Sequence, residues 1–127
     1  MKQNAAKFAK AIHNFFNGFL TFILCNTYAY QESFAVIYTD ELLDHKLLSF
    51  TAYMTPTETF EDKTPIGLEY DPQAQTFLSY VKGNGSVDCG SIGEYKWNKA
   101  SKEADLVEYQ LQECDKPTQS PWPIVFP

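Results

Sequence analysis

From residue 19 onward, apolar and polar positions alternate with a period close to two, the signature of half-buried strands. "SFAVIYT" (33–39) puts Phe34, Val36 and Tyr38 on one face and Ala35 and Ile37 on the other. "KLLSFTAY" (46–53) sets Leu48, Phe50 and Ala52 against Ser49, Thr51 and Tyr53. "TFLSYVKG" (76–83) follows, then "GEYKWN" (93–98), where Tyr95 and Trp97 alternate with Glu94 and Lys96. "DLVEYQLQE" (105–113) is the clearest run. It predicts Val107, Tyr109 and Leu111 facing in, and Glu108, Gln110 and Gln112 facing out. Turn signals punctuate the runs at Thr39-Asp40, Tyr70-Asp71-Pro72, Lys82-Gly83-Asn84-Gly85 and 98–104. Loops this short join antiparallel neighbours, since a parallel crossover needs about a dozen residues. The expected fold is mainly β: an antiparallel sheet or small barrel or sandwich of about seven strands, with one N-terminal helix.

Three segments depart from the alternation. "MTPTETFEDKTP" (54–65) lacks periodicity and reads as a long acidic surface loop flanked by prolines. "KPTQSPWPIVFP" (116–127) carries four prolines in twelve residues, which excludes regular structure. Trp122, Ile124, Val125 and Phe126 are nonetheless too apolar for a free tail, so it should pack back along the body. The first thirty-one residues admit two readings. A lysine-only start, an apolar stretch from Phe15 to Cys25 and Thr27-Tyr28-Ala29 before Tyr30 resemble a secretory leader. Alternatively, Phe8, Ile12 and Phe15/Phe16 mark an amphipathic helix that ends at Asn17-Gly18, with a strand over Phe19–Leu24. The expected organisation is a helix or leader-like tether over 1–17 and one β-rich domain over 18–127. No apolar stretch has the length and purity of a membrane span. Neither an internal repeat nor a low-complexity tract is present.

The composition sharpens this. At 127 residues the chain suffices for one domain with a real core. Aromatic residues make up 16%, which favours pleated, half-buried surfaces. All ten basic residues are lysines, and the net charge is −6. Without arginine and with this acidity, nucleic acid is not an expected partner. The charge is also uneven: residues 1–31 contain three lysines and no acid, so residues 32–127 hold all sixteen acids against seven lysines. That balance of −9 suits a basic protein as partner.

The densest candidate for chemistry is "VKGNGSVDCG" (81–90). Its glycines precede strand-like rather than helical sequence and match neither phosphate-loop spacing, so a glycine-rich hairpin with Gly83 or Gly85 at positive φ is expected. Cys89 follows Asp88, whose charge raises a thiol pKa and so opposes a nucleophilic role. A disulfide from Cys89 to Cys114 encloses about one hairpin and would restrict the unfolded chain by roughly 3.5 kcal/mol for a loop of about 25 residues. Cys25 is then an unpaired thiol. The cysteines, His13 and His45 lack zinc-site spacing, and neither a metal nor another cofactor is expected. Glu61/Asp62 and Asp40/Glu41 are pairs that could serve acid–base chemistry but read as solvated loop charge. Ser86 and Ser91 flank Cys89 without a nucleophile-elbow pattern. Tyr53, Tyr80 and Tyr95 could form an outer aromatic platform, or could equally be core and cross-strand pairs.

Taken together, "CNTYAYQESFAVIY", "FLSYVKGNGSVDCGSIGEYKW" and "LVEYQLQEC" with "PWPIVF" form a pattern. It resembles the C-terminal part of the domain of unknown function 1176 family, uncharacterised exported proteins of Gram-negative bacteria. The resemblance covers about residues 18–127 and centres on Lys82, Gly83, Gly85, Asp88, Cys89 and Gly90. It implies a periplasmic or secreted setting and supplies no activity, substrate or catalytic residue. It also implies that Phe19–Leu24 is a strand, and that Cys25 lacks a partner which an upstream part of the family domain would provide. Asn84 stands where arginine is common, and "NKASKEAD" exceeds the usual hairpin. The functional expectation is an exported, non-catalytic binding or envelope-associated module. Two alternatives stand beside it: a small acidic periplasmic inhibitor of a cationic cell-wall enzyme of lysozyme type, and a hydrolase whose carboxylates converge only in the fold.

Overall fold

The structure of the protein, a computed structural model, describes residues 9–15, 18–83 and 88–127. Those residues form eleven strands: β1 (Ala9–Phe15), β2 (Gly18–Thr27), β3 (Glu32–Asp40), β4 (His45–Leu47), β5 (Phe50–Thr55), β6 (Glu58–Asp62), β7 (Leu68–Asp71), β8 (Thr76–Lys82), β9 (Gly90–Asn98), β10 (Glu103–Gln112) and β11 (Ile124–Phe126). One sheet has the order β1-β2-β3-β4 and a second the order β11-β10-β9-β8-β7, while β5 and β6 pair as a separate ribbon. All strand pairs are antiparallel.

Outside β10, the alternating runs bury the faces they predict. Leu20 and Phe22 of β2, Val36 and Tyr38 of β3, Leu68 of β7, Phe77 of β8 and Tyr95 and Trp97 of β9 share one core cluster. Leu48, between β4 and β5, and Phe50, the first residue of β5, complete it. Aromatic edges do much of the packing. Phe50 meets Phe77 at 5.3 Å and Tyr95 at 5.2 Å, both edge-on, and Tyr38 lies 5.2 Å from Trp97. Each such pair adds about 0.5–1.5 kcal/mol beyond the apolar area removed from water. Tyr95 is therefore a core residue rather than part of an outer platform. Its hydroxyl stays satisfied by donating to the Thr51 carbonyl at 2.7 Å. Tyr53 and Tyr80 are half-buried, against Tyr109 and Trp122 respectively.

Several expectations need correction. Residues 9–15, the described part of the expected helix, form β1, with Phe15 opposite Gly18 and Ile12 opposite Thr21. The apolar sequence of β2 exposes backbone donors and acceptors on two edges, and β1 supplies the second partner. Phe8, Phe16 and Asn17 lie outside the described residues, as do Asn84, Gly85 and Ser86 of the glycine turn. The loop expected over 54–65 is largely the β5–β6 hairpin, which turns at Pro56-Thr57. Thr55 Oγ1 accepts the amides of Thr57 and Glu58, and Pro56 occupies a turn position where no ladder donor is needed. The strand count exceeds seven because β4, β7 and β11 span only three or four residues, too few to show a period.

In β10, a bulge between Leu106 and Glu108 turns Val107 out to solvent, since an extra residue inverts the alternation. Gln112 is buried instead of exposed. Its amide nitrogen donates to the Glu113 and Pro117 carbonyls, and its oxygen accepts from Gln119 N. These bonds fold the proline-rich tail back, and its apolar end then pairs with β10 as β11, at the sheet edge where proline is tolerated.

Truncating Phe50 to alanine removes the ring that joins β5 to β8 and β9, and should cost about 3–5 kcal/mol in urea unfolding. Alkali should also destabilise the fold. Burial, with Asp71 adding to it, pushes the Tyr70 hydroxyl up to about 12, and burial also raises that of Tyr95. Below pH 10 both phenols are neutral whether folded or not. Above it the unfolded chain ionises first, so stability should fall as pH rises from 10 toward 12. Unfolding of a Tyr70→Phe variant, followed across that range, should show a shallower decline.

Candidate functional site

The residues singled out by sequence gather at the end of the sheet where β8 and β9 meet. Lys82 pairs with Gly90, and Gly90 in turn with Gln112 of β10. Cys89 and Cys114 lie just beyond that last pair. They form a disulfide with a Cα–Cα distance of 5.0 Å, which ties the start of β9 to the end of β10. Gly83 lies directly on this bond. A Cβ there would stand 2.6 Å from Cys114 Sγ and 2.9 Å from Cys89 Sγ, so the position excludes any side chain. Gly90 has φ +140°, and a Cβ on it would collide with the Val81 carbonyl. Gly83 and Gly90 thus let the described chain close over a staple.

Gln31 joins a second segment to this end. Its side-chain nitrogen donates to the Tyr80 carbonyl and its oxygen accepts from Lys82 N at 2.8 Å. β7 pairs with β8 only as far as Ser79, so one amide side chain continues the ladder that β7 abandons. Thr118 Oγ1 donates to the Asp88 carbonyl, and Trp122 meets Tyr80 edge-on at 6.0 Å. The three segments that carry the sequence pattern therefore converge. A shallow groove of about 320 Å³ beside them is lined by Tyr28, Tyr30, Ile66, Val81 and Lys82. The side chains of Lys82 and Asp88 are exposed, and Cys25 is exposed as a free thiol at a bulge in β2.

A larger concavity, about 410 Å³, opens at the other end of the strands, between β4, β5 and β10. Lys46, Thr51, Glu61, Glu103 and Asp105 are among its lining residues. The adjacent acids Glu61 and Asp62 separate here as neighbours on a strand must. Glu61 faces the cleft, accepting from Ser49 Oγ at 3.1 Å and Thr51 Oγ1 at 2.8 Å, while Asp62 accepts from Thr64 N. Asp105 accepts from Asn98 Nδ2 at 2.8 Å, and Glu103 pairs with Lys46 at 3.5 Å. The described donors to Glu61 and Asp105 are neutral, so their charges stay available to a cation. Asp40 instead caps the β3–β4 turn, accepting from the amides of Leu42 and Asp44. Sequence reading missed Glu103 and Asp105 as partners of Glu61 because more than forty positions separate them, and only the β5–β10 contact brings them together. Among the described residues, no group of three or more His, Cys, Asp or Glu side chains could hold a metal. Nor is any helix there long and apolar enough to cross a membrane.

Non-reducing peptide mapping should link Cys89 to Cys114, and replacing both by alanine should cost about 3.5 kcal/mol on the chain-entropy estimate. Gly83→Ala should destabilise the oxidised protein by about 1–3 kcal/mol. In the Cys89→Ala/Cys114→Ala background the same change should cost much less, because the sulfurs it strikes are gone. Comparison with protein-family models, with curated proteins and with solved structures found no match to this chain in any of the three.

Proposed function

We propose that this protein is an exported, non-catalytic binding module whose partner is a basic protein. The observation that carries the reading is the cleft between β4, β5 and β10, where three carboxylates face one lysine and that lysine is already paired with Glu103. Fixed hydroxyl and amide donors hold Glu61 and Asp105 in place, so an incoming ammonium or guanidinium finds oriented acceptors. The excess of acids over lysines beyond residue 31 steers the same class of partner from a distance. The disulfide fits an oxidising compartment, and the periplasmic or secreted setting implied by the family resemblance agrees with it.

An inhibitor of a cationic cell-wall enzyme is the sharpest form of this reading, because such an enzyme supplies both the basic surface and the compartment. The hydrolase alternative draws less support. Glu61, Glu103 and Asp105 do share one cleft, but all three are exposed. Division of acid and base roles between carboxyl groups needs unlike environments.

Biolayer interferometry against lysozyme, used as a cationic cell-wall enzyme, should show binding at low salt that weakens steeply as salt rises. The Glu61→Gln/Asp105→Asn variant should associate several-fold more slowly at low salt and differ little at high salt. A wild-type protein that gives no signal at low salt would remove the basic-partner reading.

A further inference from the structure

The most exposed large apolar side chains among the described residues are adjacent: Leu42 is 78% and Leu43 68% accessible, both at the tip of the turn joining β3 to β4. The turn is fixed rather than loose. Asp40 Oδ1 accepts from Leu42 N and Asp44 N at 2.9 Å each, Leu43 N donates to the Asp40 carbonyl, and Asp40 N donates to that of Asp44. Leu43 has φ +67°, a region that leucine rarely occupies and that surrounding structure must enforce. Two leucines are thus held in water on a preorganised support, which lowers the ordering cost of inserting them into a partner.

The surroundings specify the occupant. Asp40, Glu41 and Asp44 flank the pair along the turn, and Glu41 and Asp44 are exposed. Burial and then Asp40 and Glu41 hold the neighbouring Tyr38 hydroxyl above its usual range, which registers their negative field. Among the described residues, the cations nearby are Lys102, whose Nζ lies over the Tyr38 ring at 5.7 Å, and Lys46, paired with Glu103. β4 runs directly from this tip into the acidic cleft, which Lys46 and the exposed Leu47 both line. Apolar anchor and carboxylates therefore lie along one continuous stretch of chain. A second copy of the protein would set acidic collar against acidic collar, which like-charge repulsion opposes.

We infer that Leu42 and Leu43 are the anchor of the binding module, inserted into an apolar pocket of a basic protein whose cations meet Glu41 and Asp44. The inference rests on the basic-partner reading and adds the point of contact. Burying two leucines removes apolar surface from water and so strengthens binding, whereas rim charges mainly set the association rate.

The test compares the wild type with Leu42→Ala/Leu43→Ala and with Glu41→Gln for binding to lysozyme at low and high salt, with thermal melts to establish folding. The exposed leucines should leave the melting temperature unchanged. The double variant should bind at least tenfold more weakly at both salts, through faster dissociation. Glu41→Gln should slow association at low salt only. If wild type binds and the double variant matches it, the anchor is refuted while the basic-partner reading stands. If wild type does not bind, both fall. Sedimentation showing a wild-type dimer that the double variant abolishes would assign the tip to a second copy and overturn the inference.

Discussion

Phe50 sits edge-on to both Phe77 and Tyr95, and this aromatic contact is the junction on which the remaining architecture depends. β5 and β6 belong to neither large sheet by strand pairing, so side-chain contacts fix them to the body. Phe50 and Ala52 supply these contacts on the buried face, and the bond from Tyr95 to the Thr51 carbonyl adds a directional constraint. With β5 placed, Glu61 of β6 is carried to the rim of β10, and the acidic cleft exists. A position in the core thus decides the electrostatics of the surface.

The two ends of the molecule divide the work. At one end, the Cys89–Cys114 bond, Gly83, Gly90 and Gln31 hold the strand ends and the tail together. The residue pattern there is strict because each element has a steric reason: a glycine beneath sulfur, a glycine against a carbonyl, an amide standing in for a missing strand. β3 runs from this end to the other, where the leucine tip and the carboxylates are presented to solvent. Nine residues of strand cover roughly 30 Å, so the staple and the surface face different environments. The same contrast separates a motif of structural origin from an exposed surface of carboxylates and leucines.

Solvent-facing carboxylates and leucines in turns are the features that a one-dimensional reading discounts. Asp40 and Glu41 look alike in sequence, yet Asp40 is consumed by capping its own turn and Glu41 is presented to solvent. Glu61 and Asp62 are likewise adjacent, and the pleat sends one to the cleft and the other to a local amide. Such assignments depend on what lies opposite in space, and no local spacing encodes it.

The sequence by itself determined most of the long strands, the buried faces of β3 and β5, and the antiparallel connections. Period-two alternation over seven or more residues leaves a single arrangement that removes Val36, Tyr38, Leu48, Phe50 and Ala52 from water. It also indicated the pairing of Cys89 with Cys114, since the enclosed loop is one hairpin long. The tertiary structure alone decided the rest. Short edge strands such as β4, β7 and β11 form because a neighbour offers unpaired backbone groups, not because their own three or four residues show a period. The bulge at Val107 reverses half of β10, and β1 replaces a helix because β2 has a second edge to fill. The cleft exists because non-local packing of β5 on β10 carries Glu61 of the neighbouring β6 there. Its chemistry is a property of that meeting, and of neither strand alone.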